Sequence, residues 1–255
     1  MASLIIFSAI VVFVYMTLWW IFSLVTKRND VADVAWGLGF VILALALFIR
    51  SGSYYMKSYI ILGMVCIWGL RLATHIALRH RGKLEDKRYQ KMSEHWKYKH
   101  LQAYFNVFLL QGFFLLLVAT PIILFFFDNT HIIHWYNIIG FVVWVFGFVF
   151  EAVGDYQLTK FIKNPVNKGK IMRYGLWSYS RHPNYFGEIT SWWGFYLFTL
   201  FTPFWYIGTI GPLTITFLIL GISGIPMLEK HYEGNREYDD YKKTTSAFFP
   251  LPWGK

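Results

Sequence analysis

The sequence predicts an all-α integral membrane protein with seven transmembrane helices, on the basis of its composition, its uncharged runs and its distribution of lysine and arginine. Of the 255 residues, 56% are hydrophobic, 21% are aromatic and only 15% are charged. A soluble domain carries about 25% charged residues, and the mean hydropathy here is +0.41. A single cysteine, Cys66, excludes a fold held by intrachain disulfides. The chain is therefore expected to form one polytopic membrane domain over residues 1–255.

The predicted spans follow from runs long enough to cross the hydrocarbon layer, which takes about 20 mostly apolar residues in a helix. Three runs contain no lysine, arginine, aspartate or glutamate: 1–26, 101–127 and 129–150. Two more spans are predicted at 34–49, which is also uncharged, and at 58–80, which is apolar apart from a few polar residues such as Arg71, His75 and Arg79. The uncharged run 189–228 is roughly twice as long as one span requires. The Thr202–Pro203 pair is expected to divide it into two helices.

Lysine and arginine collect in alternate loops, as they do on the cytoplasmic side of membrane proteins. One side carries Lys27 and Arg28, eight basic residues within 79–99, six within 160–181 and five from position 230 onward. The opposite side has only Arg50 and Lys57. We therefore expect the N-terminus outside and the C-terminus in the cytoplasm, in a bacterial inner membrane or an endoplasmic-reticulum type of membrane.

This topology accounts for most of the formal charge of +10, so nucleic acid is not an expected partner. A cleaved signal peptide is the alternative interpretation of residues 1–26, but this run lacks a basic start and its apolar part is long for that purpose. The chain contains no glycine-rich nucleotide motif, P-loop or C-x-x-C pattern. No metal site is predicted.

Ionisable residues within predicted spans are costly, at about 2.5–3.5 kcal/mol each, and therefore indicate a functional site. Seven lie toward the predicted cytoplasmic side: Asp33, Arg71, His75, Glu151, Asp155, Glu188 and Glu229. A polar cavity open to the cytoplasm would explain all of them. Glu151 and Asp155 are four residues apart and share one helical face. The alternative is a structural pair neutralised by Arg71 or Lys163.

The densest polar segment, residues 174–188, reads YGLWSYSRHPNYFGE and leads into the sixth predicted span. Because Pro183 disfavours helix at the preceding residue and suits a first helical turn, a helix is predicted to begin near Asn184. Free N–H groups at such a start attract anions. A phosphate-bearing or carboxylated ligand would contact the residues around this start: Arg181, His182, Asn184, Tyr185 and Glu188. A cap on lipid headgroups is the alternative.

The polar, tyrosine-rich tail of residues 229–250 lies on the same predicted side and can fold over the cavity as a lid. A solvated tail is the alternative, although its aromatic content exceeds that usual in disordered segments.

These segments resemble the DUF1295 branch of the steroid 5-alpha-reductase-like family. The likeness is carried by residues 175–188, Trp192, residues 33–37 and 151–157, and the tail residues Tyr238, Tyr241, Thr245, Phe249 and Pro250. It runs from about residue 30 to the end. The core motif around Arg181 to Tyr185 is shared more loosely with sterol reductases and isoprenylcysteine carboxyl methyltransferases, which hold S-adenosylmethionine in a similar place.

The resemblance implies a seven-helix membrane fold in which residues 101–255 enclose NADPH and the helices of residues 1–100 admit a lipophilic substrate. Carried over by position, the matches to cofactor-contacting residues are Glu151, Asp155, Lys170, Asn184, Glu188 and Tyr238. The amide and ribose groups of NADPH are expected to bind Asn184, Glu151, Asp155 and Glu188. The phosphates of NADPH are expected to bind Lys170, Arg173, Arg181 and His182. Tyr179 and Tyr185 are expected to lie beside these phosphates.

The leading hypothesis is NADPH-dependent reduction of a carbon–carbon double bond in a lipophilic substrate, such as a steroid-like enone or an isoprenoid. The expected acid near the substrate is Asp33, Tyr89 or Tyr179. The paired glutamine and glutamate of the 5-alpha-reductases have no obvious copy here, and Asp33 is the nearest acidic residue. Two alternatives remain: an S-adenosylmethionine-dependent methyltransferase of a lipid or prenylated substrate, and a non-enzymatic lipid-binding or transport protein.

Overall fold

The structure, a computed structural model, describes residues 1–128 and 131–252. Six of its helices are long and apolar enough to cross a membrane: α1 Ala2–Thr26, α2 Val31–Ser51, α3 Met56–His80, α5 Lys99–Val118, α7 Trp135–Lys163 and α9 Trp205–His231. Shorter helices lie between and after them: α4 Lys87–Ser93, α6 Thr120–Asp128, α8 Pro183–Leu197 and α10 Arg236–Thr244. The described residues include no β-strand, so the all-α, multi-pass membrane class is confirmed.

The helices correspond to the predicted runs, but six candidate spans replace the expected seven. The uncharged run 189–228 is divided near Thr202 and Pro203 into α8 and α9, as predicted. With 15 residues, α8 reaches about 22 Å at 1.5 Å per residue, which is less than the roughly 30 Å hydrocarbon layer. The run 101–127 also breaks, at Ala119, into α5 and α6. The orientation of the termini stays a prediction.

The chain forms two compact units, Met1–Ile133 with Phe201–Ile210, and His134–Leu200 with Gly211–Lys255. In the first unit, α2 and α3 cross where two glycines meet. A Cβ on Gly37 would lie 2.8 Å from the Gly69 carbonyl oxygen, and one on Gly69 would lie 2.6 Å from the Gly37 carbonyl oxygen. Phe40 and Trp68 pack edge to face beside this crossing, with ring centroids 5.5 Å apart. The division of ligand roles between residues 1–100 and 101–255 stays a prediction.

Lys57, expected in a loop, instead lies in the first turn of α3 and is 1% exposed. Its Nζ lies 5.4 Å from the centroid of the Phe125 ring on α6. An ammonium over an aromatic face gains electrostatic attraction, which offsets part of the cost of burying its charge. Lys57 therefore helps to join α3 to α6 inside the first unit.

In the second unit, α7 and α8 pack along glycines that recur every seven residues: Gly140, Gly147 and Gly154 on α7, and Gly187 and Gly194 on α8. A Cβ on Gly187 would lie 2.3 Å from the Glu151 backbone nitrogen, and one on Gly147 would lie 2.5 Å from the Ser191 backbone nitrogen. The two backbones are thus in direct contact. This contact brings the carboxylate-bearing face of α7 to the first turns of α8.

The segment between α7 and α8 is anchored to α7 by two hydrogen bonds. The backbone N–H of Leu176 donates to the Gln157 Oε1 at 3.0 Å, and the Trp177 Nε1 donates to the Gly154 carbonyl at 3.1 Å. Gly175 has a φ of +62°, and a Cβ there would lie 2.6 Å from the Gln157 side chain. Only glycine therefore fits this turn.

Replacing Gly187 with alanine is expected to lower the stability of the second unit, because the new Cβ would meet the α7 backbone. Overpacking of a well-packed core costs about 1–3 kcal/mol, which corresponds to about 2–4 °C in Tm per kcal/mol for a chain of this size. The measurement is thermal unfolding of the detergent-purified protein.

Gly63→Ala on α3 is the matched control, because nothing lies within 4 Å of a Cβ at that position. Its Tm should stay unchanged or rise, since alanine favours helix over glycine by about 1 kcal/mol. An equal loss of Tm in Gly187→Ala and Gly63→Ala would contradict the close contact between α7 and α8.

Candidate functional site

The start of α8 gathers the polar residues that the sequence singled out in the second unit. The helix begins at Pro183, as predicted. The Asn184 Nδ2 donates to the Asp155 Oδ1 on α7 at 3.0 Å. Glu151, one turn earlier on α7, is 2% exposed. The structure thus brings three of the predicted cofactor-binding residues together, and Glu188 lies one turn further along α8.

The amide oxygen of Asn184 is a buried acceptor that receives no hydrogen bond within the described part of the chain. Leaving such an atom unsatisfied costs about 1–3 kcal/mol. Its own Nδ2 is used by Asp155, so the orientation of the amide follows from that contact. The oxygen is therefore placed to accept an N–H or O–H from a ligand.

Arg181 was predicted to hold a phosphate, and its guanidinium instead contacts the C-terminal tail. Its Nε and Nη2 donate to the Glu229 Oε1 at 2.9 and 2.7 Å, and its Nη1 donates to the Thr245 carbonyl at 2.5 Å. Lys242 lies 3.3 Å from the other oxygen of Glu229. Arg181 thus ties the start of α8 to the tail, and a phosphate there would compete with Glu229.

His182 is buried beside Arg181 and stacks on Tyr185, with ring centroids 5.6 Å apart and an interplanar angle of 15°. Its Nε2 lies 3.4 Å from the Glu229 Oε1. Burial lowers the pKa of His182, although the hydrogen bond to Glu229 opposes this effect. The imidazole is therefore uncharged at neutral pH. It can donate a hydrogen bond to the phosphate that was predicted to bind here, but it cannot attract that phosphate with a positive charge.

The tail after α10 folds onto the segment before α8, while the predicted role of residues 229–250 as a lid over a cavity stays a prediction. Ser180 and Ser246 form a parallel bridge, the Ser180 Oγ donates to the Phe248 carbonyl at 2.8 Å, and the Leu251 N–H donates to the Tyr179 carbonyl at 3.1 Å. The Tyr179 side chain itself is 42% exposed. These bonds hold residues 179–181 against the tail, just before the proline that starts α8.

The predicted residues Lys170, Arg173 and Tyr238 lie around α10. Arg173 Nη2 donates to the Glu237 Oε1 at 3.2 Å, while its buried Nε has no hydrogen-bond partner among the described residues. Lys170 is exposed. Tyr238 is 4% exposed and stacks on Tyr232, with centroids 4.6 Å apart. Burial raises the pKa of Tyr238, so its phenol stays protonated at neutral pH.

In the first unit, the structure joins two of the predicted acids, Asp33 on α2 and Tyr89 on α4. The Tyr89 hydroxyl donates to the Asp33 Oδ1 at 2.5 Å, and Arg88 Nη2 donates to the Asp33 Oδ2 at 2.8 Å. Gln111 on α5 completes the cluster, since its Nε2 donates to the Tyr89 oxygen at 3.1 Å. The third predicted acid, Tyr179, belongs to the second unit.

Tyr89 is 7% exposed, and burial together with the negative charge of Asp33 raises the pKa of its phenol well above the ordinary value. The phenol is therefore a hydrogen-bond donor and not a phenolate at neutral pH. The sequence analysis missed Arg88 and Gln111. Gln111 carried a usable signal, because it is a polar side chain in the middle of a predicted span.

A network of ion pairs and backbone bonds positions Tyr89. Arg28 contacts both oxygens of Asp30, at 2.9 and 2.7 Å, and the Asp86 N–H donates to the Asp30 Oδ2 at 2.9 Å. Burial acts to raise the pKa of Asp30, but these hydrogen bonds outweigh it and hold the pKa below its ordinary value. Asp86 in turn caps α4 by accepting from the Arg88 N–H. The network thus fixes the start of α4, next to Tyr89.

Asp33, His80 and Asp86 also offer ligand atoms that lie within 4.8 Å of one another. Arg88 already contacts both carboxylates of this group, at 2.8 Å from Asp33 and 3.1 Å from Asp86. The positive charge beside these carboxylates is therefore supplied by a guanidinium.

Removing either partner of the pair between Arg181 and Glu229 is expected to release the tail. Arg181→Gln leaves the Glu229 carboxylate without its main partner, and Glu229→Gln leaves the Arg181 guanidinium without its carboxylate. The cost is expected to be smaller than that of breaking a fully buried pair, about 3–5 kcal/mol, because the Glu229 side chain is 18% exposed and keeps Lys242 at 3.3 Å. Limited proteolysis should show faster cleavage within 229–252 in both variants.

The double variant should lose less stability than the two single variants lose together, because two neutral amides leave no buried charge. Lys243→Gln is the control, since it removes an ion pair with Asp240 that is exposed on both sides and should leave cleavage unchanged. Strictly additive losses in the double variant would argue against a coupled pair.

Comparison with known proteins gives two curated relatives. The chain is 29% identical over 113 residues to "3-oxo-5-alpha-steroid 4-dehydrogenase 1" of Mus musculus, which covers 44% of this chain and 41% of that protein. It is 48% identical over 46 residues to "Probable O-methyltransferase ustE" of Ustilaginoidea virens, which covers 18% of this chain and 16% of that protein. The chain thus spans less than half the length of each of these relatives. No solved structure matches it significantly.

The longer match confirms the likeness to a steroid 5-alpha-reductase that the motifs indicated. The family described as "Protein of unknown function (DUF1295)" matches residues 19–245, which is most of the chain. The chain therefore belongs to the DUF1295 family, and over 44% of its length it is similar to a steroid 5-alpha-reductase.

Proposed function

We propose that this protein is a membrane-embedded oxidoreductase that uses NADPH to reduce a carbon–carbon double bond conjugated to a carbonyl in a lipophilic substrate. The main support is the partly buried contact between Asn184 and Asp155, with a buried and unsatisfied amide oxygen, at the start of α8. Membership of the DUF1295 family and the name of the mouse relative support the class of reaction.

The residues at the start of α8 fit the polar groups of NADPH. Its carboxamide N–H groups and ribose hydroxyls are donors, and Asn184, Asp155 and Glu151 offer acceptors. Its phosphates need cationic donors, which Lys170 and the unpartnered Nε of Arg173 can provide. We therefore assign recognition of the amide and ribose groups to Asn184, Asp155 and Glu151. We assign recognition of the phosphates to Lys170 and Arg173.

The acid in this proposal is Tyr89. When bound, NADPH supplies a hydride to the carbon–carbon double bond. The carbonyl oxygen of the substrate then becomes more basic, and a fixed donor stabilises the charge that develops on it. The Tyr89 hydroxyl, held by Asp33 and Gln111, is a protonated and buried donor of this kind. When the substrate binds, this hydroxyl turns from Asp33 to the carbonyl oxygen, donates its hydrogen bond there and can deliver the proton.

A methyltransferase is the second candidate, favoured by the short match to the fungal O-methyltransferase. S-adenosylmethionine has no phosphate, so this reaction would need the acceptors near Asn184 but not the cations Lys170 and Arg173. This difference separates the two candidates experimentally.

NADPH is expected to raise the Tm of the detergent-purified protein, while NADH and S-adenosylmethionine give a smaller shift or none. A ligand at 100 times its Kd stabilises by about 2.7 kcal/mol. Asn184→Ala should abolish most of this stabilisation, because it removes the buried acceptor. Asn106→Ala is the matched control, since Asn106 is exposed on α5 in the other unit. A shift with S-adenosylmethionine alone would favour the methyltransferase, and no shift with any cofactor would favour a lipid-binding protein.

Tyr89→Phe is expected to lower kcat for NADPH-dependent reduction of a steroid enone, with progesterone as the probe, by about 100-fold. The same variant should bind NADPH as the wild type does, because Tyr89 is assigned to the substrate. Tyr179→Phe makes the same chemical change at an exposed tyrosine of the second unit and tests the alternative acid. A larger loss in Tyr179→Phe than in Tyr89→Phe would refute the assignment of the acid.

A further inference from the structure

Gln111 is a polar residue in the middle of α5, whose neighbours from position 107 to 118 are otherwise apolar or glycine. A polar amide within a membrane span is costly unless it is hydrogen-bonded. Its Nε2 donates to the Tyr89 hydroxyl oxygen at 3.1 Å. Its Oε1 is buried and has no hydrogen-bond partner in the described ranges 1–128 and 131–252. Among the described residues, the contact with Tyr89 is thus the hydrogen bond that the Gln111 side chain makes.

The hydrogen bonds of Tyr89 determine which way the Gln111 amide faces. A tyrosine hydroxyl has one proton, and Tyr89 donates it to Asp33. The remaining lone pairs of the phenol oxygen can only accept, so the NH₂ group of Gln111 must face it. Gln111 thus stabilises negative charge on this oxygen, whereas Asp33 opposes it.

The backbone of α5 supports the same contact. Residues Tyr104–Leu109, just before Gln111, form a π-helical segment, and such segments are frequent at functional sites. One extra residue in a turn rotates the following residues by about 100° around the helix axis. The segment therefore sets the face of α5 on which Gln111 lies, and that face meets Tyr89.

We propose that Gln111 is a positioning residue for the reaction, which directs the Tyr89 hydroxyl and stabilises its oxygen as the proton leaves toward the substrate carbonyl. The inference rests on the proposed function. In the proton transfer, the hydroxyl first turns from Asp33 to the substrate. Its O–H bond then breaks, a new O–H bond forms on the substrate oxygen to give an enol that tautomerises to the saturated ketone, and the phenol oxygen keeps the electron pair. The N–H of Gln111 donates to that oxygen throughout, and its bond strengthens when the acceptor becomes charged.

The contact can be tested without any substrate. Protein labelled at the tyrosine Cζ with ¹³C gives one signal per tyrosine, and the signal missing from Tyr89→Phe belongs to Tyr89. Gln111→Leu should shift this signal, because Cζ reports hydrogen bonding at the phenol oxygen. Gln102→Leu, the same change on the same helix, should leave it in place, since Gln102 accepts from the Tyr98 N–H instead.

The kinetic test uses NADPH and progesterone. Gln111→Leu should lower kcat about 10-fold with KM within twofold, because the lost hydrogen bond acts mainly on the charged oxygen. Gln111→Glu should be least active at high pH, where the new carboxyl group is ionised and cannot donate to Tyr89. Its activity should recover as the pH falls and the new carboxyl group becomes protonated and able to donate.

A Tyr89 signal that stays in place in Gln111→Leu would overturn the proposal, as would a raised KM with unchanged kcat, which indicates a substrate contact. A flat pH profile in Gln111→Glu would also overturn it. Failure of the proposed function looks different: the wild type would not oxidise NADPH with progesterone, while the Tyr89 signal would still respond to Gln111→Leu and support the contact.

Discussion

The backbone contact between α7 and α8 is the constraint on which the second unit depends. Because Gly147 and Gly187 carry no side chain, the two helices approach until backbone atoms touch. At that distance a short amide on one helix reaches a carboxylate on the other, which is what Asn184 and Asp155 do. Larger residues at the glycine positions would separate the helices and break this hydrogen bond. The polar cluster is thus a consequence of close packing as much as of its own residues.

Each unit holds a connecting segment in place with an arginine that contacts a largely buried carboxylate through two nitrogens. Arg181 does so with Glu229 in the second unit, and Arg28 with Asp30 in the first. Such pairs combine charge with a fixed geometry. In both cases the pair lies next to a candidate functional group, the start of α8 in one unit and α4 in the other. Basic residues in these segments therefore organise the protein as well as following the positive-inside pattern.

The two candidate sites have opposite hydrogen-bonding character. The start of α8 presents acceptors, in Asn184 and the carboxylates of α7, and so suits a ligand rich in donors. The cluster around Tyr89 presents a protonated hydroxyl, and so suits an acceptor such as a carbonyl oxygen. This difference is what the proposed reduction requires, because the cofactor brings amide and hydroxyl donors and the substrate brings the oxygen that gains charge.

Much of the fold and part of the site could be predicted because they depend on local sequence. Uncharged runs identified the membrane helices, Thr202 and Pro203 marked a break, and Pro183 marked the start of α8. The intramembrane acids drew attention to Asp33, Glu151 and Asp155. The motif of residues 175–188 identified the family, and its polar residues do meet at the start of α8.

The sequence by itself thus determined the helical membrane class, the family and most of the polar residues. Only the tertiary structure decided what each of them contacts. Helical periodicity shows which residues share a face, but it does not show which other helix that face meets. By sequence alone, Arg181 is a candidate phosphate ligand, whereas in the structure it contacts Glu229. Tyr89 and Asp33 are alternative candidates for the acid by sequence, whereas in the structure they share one hydrogen bond. Gln111 is visible in the sequence as a polar residue within a span, but its contact with Tyr89, 22 positions away in the chain, is shown only by the structure.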